Sequence, residues 1–179
     1  VVSHDSSLPE SICRWDGPGA APTRVIRRLS FAQLRHFDCG TLPNREFLRQ
    51  KRVAGARVPS LDEVLALGVR GAFEFNIETK IDPRAPQMAP PPEDFARLVL
   101  EVVRKHGLES RVILQSFDFR TLHAMKKLAP EMRLAALHGG GPEDFTAVAA
   151  RAGATIVSPQ YRLVTRERVE AAHGAGLQV

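Results

Sequence analysis

Glu78 and Lys80 stand two residues apart in FEFNIETK, residues 73–80. Side chains of a strand alternate between faces. Glu74, Asn76, Glu78 and Lys80 therefore share one side, and Phe73, Phe75, Ile77 and Thr79 the other. In a parallel barrel both faces are buried, so if the apolar side meets helices, the polar side must point into the barrel. A buried column of two carboxylates, an amide and an ammonium is costly unless it is paired or binds a metal. Glu78 and Lys80 come last in the strand, at the carboxyl end where barrel active sites lie. The competing reading is an edge strand with a solvated polar face, and the helical segments on either side argue against an edge.

His4 is the second candidate. A histidine titrates near neutral pH and can act as an acid or a base. It follows Val1-Val2-Ser3 and precedes Asp5 and a long loop. A plain loop or core histidine explains the same residues equally well. Gln115 and Phe117 alternate to one side of VILQSF (112–117) and could line a substrate pocket; ordinary packing is the alternative. The other histidines, at 36, 106, 123, 138 and 173, show neither HxH nor HExxH spacing. His138 precedes three glycines and a helix start, which reads as a flexible turn in preference to an anion site.

These residues need elements to position them. PSLDEVLALG (59–68) carries Ser60 and Glu63 at capping-box spacing before an apolar run. EDFARLVLEVVRKHG (93–107) is the clearest helix, with Phe95, Leu98, Val99, Val102 and Val103 on one face and Gly107 as its stop. Asp118 can cap a helix containing Leu122, Met125 and Leu128. Further helices are read at 142–153 and 165–176, and strands at 133–137, at 155–159 and from Leu177. Strands alternating with helices over short loops mean right-handed β/α units and a parallel sheet. No GxGxxG follows a strand and no GxxxxGK[ST] occurs, which weakens dinucleotide and P-loop readings.

Five strands after residue 72 are too few to close a (β/α)₈ barrel, which takes about 250 residues. The expectation is an α/β fold: a partial TIM barrel, one structural domain truncated at both ends. Residues 59–179 would be its core, from the third strand to the seventh. Residues 1–58 differ, being rich in Pro, Gly and Arg, with VVSH as a short strand and a helix near 30–37. They read as a long excursion between barrel strands.

The totals exclude little. No apolar run in the 179 residues approaches a membrane span. The net charge is +5, and only five of the 25 basic residues are Lys. The Arg residues are scattered, so a solvated surface is preferred to a nucleic-acid site. A positive field would still favour an anionic substrate. Cys13 and Cys39 form no CxxC, leaving one disulfide or two free thiols open.

VVSHD, VPSLDEVL (58–65), FNIETK (75–80), ILQSFDFRTL (113–122) and AHGAGLQV (172–179) together resemble the glycerophosphodiester phosphodiesterase family, in that order and at similar spacing. The likeness is nearest to bacterial members and spans the chain. It implies a (β/α)₈ barrel that hydrolyses glycerophosphodiesters to glycerol 3-phosphate and an alcohol with a divalent cation, Mg²⁺ or Ca²⁺. It implies that His4 is the histidine of the family's HD motif, in an insertion after the second strand formed by residues 1–58. Glu78 and Lys80 would be its ExK pair, Glu78 ligating the cation and Lys80 meeting the substrate phosphate. Two histidines would exchange protons through a cyclic phosphate, His4 as general acid in the first step. The family's HRG and ExD motifs have no counterpart here and are expected before Val1. Its Trp-containing strand and final strand are expected after Val179. Alone, the 179 residues are then expected to turn over little. A phospholipase D-like or sphingomyelinase D-like enzyme, a non-catalytic truncated relative and an aldolase-type barrel using Lys80 as a Schiff base are the alternatives. The resemblance implies a small-molecule partner in lipid and glycerol metabolism, without nucleic acid. Exported bacterial relatives lean the location to the periplasm or secretion, with the cytoplasm as the alternative.

Overall fold

A computed structural model describes all 179 residues, which divide into two compact units, Val1–Val64 and Leu65–Val179. The first unit has little regular structure. Strand β1 (Arg14–Trp15) pairs antiparallel with β2 (Phe37–Asp38), and the short helix α1 (Phe31–Leu34) lies between them in sequence. Ser30 and Gln33 close a capping box on α1. VVSH is not a strand. Residues 1–3 carry no regular structure, and Val2 only donates its N–H to the Pro59 carbonyl. A β-branched pair has strand propensity, but without a partner ladder it forms none.

The unit's small core is Leu8, Cys13, Leu34, Phe37 and Val58. Cys13 and Cys39 are joined in a disulfide that brackets β1 and β2, which decides between the two readings left open above. Asp38 is buried and accepts from the Thr41 hydroxyl and from the Gly40 and Thr41 N–H groups. The Thr41 hydroxyl, then the Gly40 amide, hold its carboxyl far below the ordinary range.

A core this small leaves the bridge a large share of the unit's stability. The bridge closes 26 residues of sequence, for which chain-entropy reasoning gives about 3.5 kcal/mol. Trp15 is the chain's one tryptophan and packs edge-on to Phe37, so its fluorescence reports on this unit. A reductant should shift the Trp15 unfolding midpoint to clearly lower denaturant. Equal midpoints with and without reductant would show that the bridge contributes nothing.

Helix α2 (Leu61–Leu65) follows, with the predicted Ser60–Glu63 capping box formed in both directions. The second unit is then a run of β/α repeats: β3 (Phe75–Glu78), α3 (Pro92–Lys105), β4 (Val112–Ser116), α4 (Phe119–Leu128), β5 (Arg133–His138), α5 (Phe145–Ala152), β6 (Ile156–Pro159) and α6 (Arg166–Gly174). The four strands form one parallel sheet in the order β3-β4-β5-β6. Gln178 adds a parallel bridge to Ile156, where the further strand is expected. Strand order equal to sequence order, with a helix in each connection, is the winding of a barrel. The unit is therefore a partial, barrel-like α/β arc.

Local rules set the boundaries. Gly107 and Gly153 end α3 and α5 with positive φ, a conformation other residues reach only with strain. Asp118, Asp144 and Thr165 cap α4, α5 and α6. Helix α5 starts at Phe145 and not at Pro142, because the cap is Asp144. The buried stripe of α3 is Ala96, Val99, Leu100 and Val103, whereas Leu98, placed on the apolar face by its type, is exposed. The sheet core is Val112, Leu114, Leu134, Ala136 and Val157, met by Leu122, Met125, Phe145 and Val148 from the helices.

Candidate functional site

Side chains paired laterally in a parallel sheet stand on the same face. The register sets Glu78 beside Gln115, Gln115 beside Ala135 and Ala135 beside Ile156. Glu78 and Gln115 are thus brought together in one row, near the carboxyl ends of β3 and β4. Lys80 and Phe117 follow two residues further along, and both are exposed. The alternation read from FEFNIETK holds, for Ile77 and Thr79 take the opposite, helix-facing side. The burial expected for the polar face does not hold. Glu74, Asn76, Glu78 and Lys80 are all exposed. Strand β3 is also an edge of this sheet, with a strand beside it on one side only.

A hydroxyl relay fixes the end of β3 from behind. Thr79 is fully buried, and its hydroxyl lies 2.8 Å from that of Thr121 on α4. Ser116 donates to the Thr79 carbonyl at 2.6 Å and accepts from the Asp118 N–H at 3.0 Å. Thr121 donates to the Asp118 carbonyl, and Asp118 accepts from the Arg120 N–H and side chain. The Arg120 side chain foremost keeps the Asp118 carboxyl below its ordinary range. The two residues that flank Thr79 in sequence are Glu78 and Lys80, so the relay aims them. Sequence reading named only the Asp118 cap. The Ser116-x-Asp118-x-x-Thr121 spacing is a turn signature that could have revealed the rest.

At the other end of the strand, Glu74 pairs with Arg133 of β5 at 2.8 Å, which gives it a structural role. Arg111 donates to the carbonyls of Gly68, Gly71 and Phe73 and anchors the entry to β3.

Phe117 lines a cavity of about 560 Å³ with Pro83, Asp118, Arg120, His138 and Arg151. Gln115 is not among its walls. His138 is no flexible turn: it is buried at the end of β5, edge-on to Phe145, and its Nε2 has no hydrogen-bond partner. The turn after it is glycine-dependent, with Gly140 and Gly141 at positive φ.

His4 belongs to the first unit. Its side chain is exposed, and its Nδ1 lies 2.8 Å from Asp5 Oδ1. Such a carboxylate orients an imidazole.

A divalent cation needs several oxygen ligands. No group of three or more His, Cys, Asp or Glu converges in these 179 residues. The chain alone therefore does not fit a complete cation site; Glu78 offers one oxygen-bearing side chain.

Against known proteins, the sequence model of the glycerophosphoryl diester phosphodiesterase family matches residues 1–179. A curated protein of Caldanaerobacter subterraneus subsp. tengcongensis named glycerophosphodiester phosphodiesterase is 26% identical over 179 residues, covering 100% of this chain and 65% of the relative. A solved Silicibacter pomeroyi structure carrying the glycerophosphoryl diester phosphodiesterase name superposes with a TM-score of 0.85 at 27% identity, over 98% of this chain and 65% of that one. An Oleispira antarctica phosphodiesterase, solved in complex with the product sn-glycerol-3-phosphate, shares the fold with a TM-score of 0.74 at 19% identity, over 98% of this chain and 63% of that one. The chain thus spans about two thirds of the length of the relatives it matches.

Proposed function

The chain belongs to the glycerophosphoryl diester phosphodiesterase family, and from that premise we propose that the protein hydrolyses glycerophosphodiesters to glycerol 3-phosphate and an alcohol. The observation that carries the proposal is the row of exposed Glu78 and half-buried Gln115, with exposed Lys80 two residues beyond Glu78, at the carboxyl edge of the parallel sheet. In open α/β sheets and barrels, ligands bind at that edge.

The chemistry suits these residue types. A phosphodiester is an anion and repels nucleophiles. Lys80 supplies a positive charge toward the phosphoryl oxygens, where negative charge builds up in the transition state. The substrate's own glycerol 2-hydroxyl attacks phosphorus while the bond to the alcohol breaks. His4 donates a proton to the departing alkoxide, and Asp5 holds its ring for that transfer. Water then opens the cyclic phosphate: a proton of the water goes to His4, and the glycerol 2-oxygen, released from phosphorus, regains the proton it gave up in the first step. Residues 1–58 serve, on this reading, as the insertion that carries the HD motif. The Cys13–Cys39 bridge supports an oxidising compartment, in keeping with export.

A cation, Mg²⁺ or Ca²⁺, is proposed for a protein of the relatives' length, with Glu78 as one of its ligands; it would neutralise phosphoryl charge when bound. Such a protein should lose turnover of glycerophosphocholine when a chelator is added and recover it with Mg²⁺ or Ca²⁺. Unchanged release of glycerol 3-phosphate under the chelator would reject the cation and Glu78 as its ligand. Release of choline from intact lysophospholipid, without turnover of glycerophosphocholine, would reject the substrate class.

A further inference from the structure

The charge of this chain is unevenly placed. Residues 1–58 hold ten basic and five acidic residues, and residues 59–179 hold fifteen of each. The whole net charge of +5 therefore lies in the first segment.

Within it, one turn gathers much of that charge. Residues 45–55 are all exposed. They include Arg45, Arg49, Lys51 and Arg52, with Glu46 the lone acidic residue. Most other arginines of residues 1–64 have carboxylate partners: Arg14 with Asp38, Arg24 with Glu10, Arg35 with Glu63 and Arg57 with Asp16. The four cations of the turn form no ion pair, so their field is directed to solvent.

The same turn exposes large apolar side chains. Phe47 is 63% exposed, Leu48 88% and Val53 59%. Backbone bonds hold the segment in shape: Gln50 donates to the Phe47 carbonyl, and Val53 donates to the Gly40 carbonyl, closing the turn at its base. A phenylalanine and a leucine side by side at a turn, ringed by cations, match the interface of an anionic bilayer. The apolar pair would enter the acyl boundary, and the cations would meet lipid phosphates. Nucleic acid fits less well, because Leu48 offers no stacking face and gains nothing from a phosphate backbone.

We propose that the turn of residues 45–53 docks the protein on anionic lipid surfaces. This surface attachment is independent of the catalytic reading, since it uses no residue assigned to the reaction.

The test uses the full chain and vesicles of phosphatidylcholine, with and without phosphatidylglycerol. Cosedimentation should be at least about tenfold greater with the anionic vesicles and should fall as salt rises. The double variant Phe47→Ser with Leu48→Ser, and separately Arg49→Glu with Lys51→Glu, should each lose about tenfold or more in binding. All four side chains are exposed, so circular dichroism should match the parent. Phe47→Trp should show a blue-shifted emission with anionic vesicles, while the parent, whose one tryptophan is Trp15, should not. Equal binding to neutral and anionic vesicles, or full binding by either double variant, would overturn the proposal. So would tight binding of an RNA oligonucleotide without vesicle binding, which would assign the patch to nucleic acid. A dimer abolished by the Phe47/Leu48 variant, again without vesicle binding, would assign it to a second copy of the chain.

Discussion

Glu78→Gln, made in a protein of the relatives' length, is expected to lower turnover of a glycerophosphodiester by about 10²–10³, the scale of losing one electrostatic group at a reacting phosphorus. The substitution keeps the shape and removes the charge. Glu78 holds β3 to β4 through its backbone, in register with Gln115, and its side chain is exposed. Folding should therefore change by no more than about 0.5 kcal/mol, as at ordinary surface positions. A circular-dichroism melt separates the two effects. Gln115→Ala, in the neighbouring position of the row, should cost much less, because it removes no charge. Lys80→Met should act in the same direction as Glu78→Gln, through loss of the positive charge facing the phosphoryl group. Full activity in Glu78→Gln with an unchanged melt would remove Glu78 from the site.

His4→Ala is expected to cost about 10²–10⁴ in kcat with a natural glycerophosphodiester, the range for a positioned general acid. The loss should depend on the leaving group. An alkoxide needs a proton as it departs, and nitrophenolate does not. With a nitrophenyl glycerophosphodiester the variant should approach the parent rate. A loss of the same size for both substrates would reject the role of acid and leave His4 a binding residue at most. Asp5→Asn should give a smaller loss of the same pattern, because Asp5 touches only the Nδ1 side of the ring.

The fold was legible where its causes are local. The Ser60–Glu63 capping box, the Asp118 cap and the Gly107 stop are short-range chemistry, and each is present in the structure. The alternation of strand and helix also reads locally, since each element carries its own period. The first unit was not legible in this way. Its two strands are two residues each, and Trp15 and Phe37 pair across 22 positions, too far apart for any pattern to announce. VVSH failed for the converse reason, having propensity without a partner.

The candidate site divides along the same line. Residue types and alternation alone placed Glu78 and Lys80 on one face of one strand. Only the tertiary structure set Gln115 beside Glu78, because lateral register depends on how two distant segments align. Only the structure showed that face to be exposed, because what packs over a strand is a property of the fold and not of the strand. The relay of Thr79, Ser116, Asp118 and Thr121 likewise joins residues from two segments about forty positions apart. The Cys13–Cys39 bond needed the same folding, because two thiols in a sequence carry no information about their distance in space. Sequence determines what a segment prefers to be and which way its side chains alternate. Which segments become neighbours is a many-body outcome of packing, and that is what brings the groups of this site together.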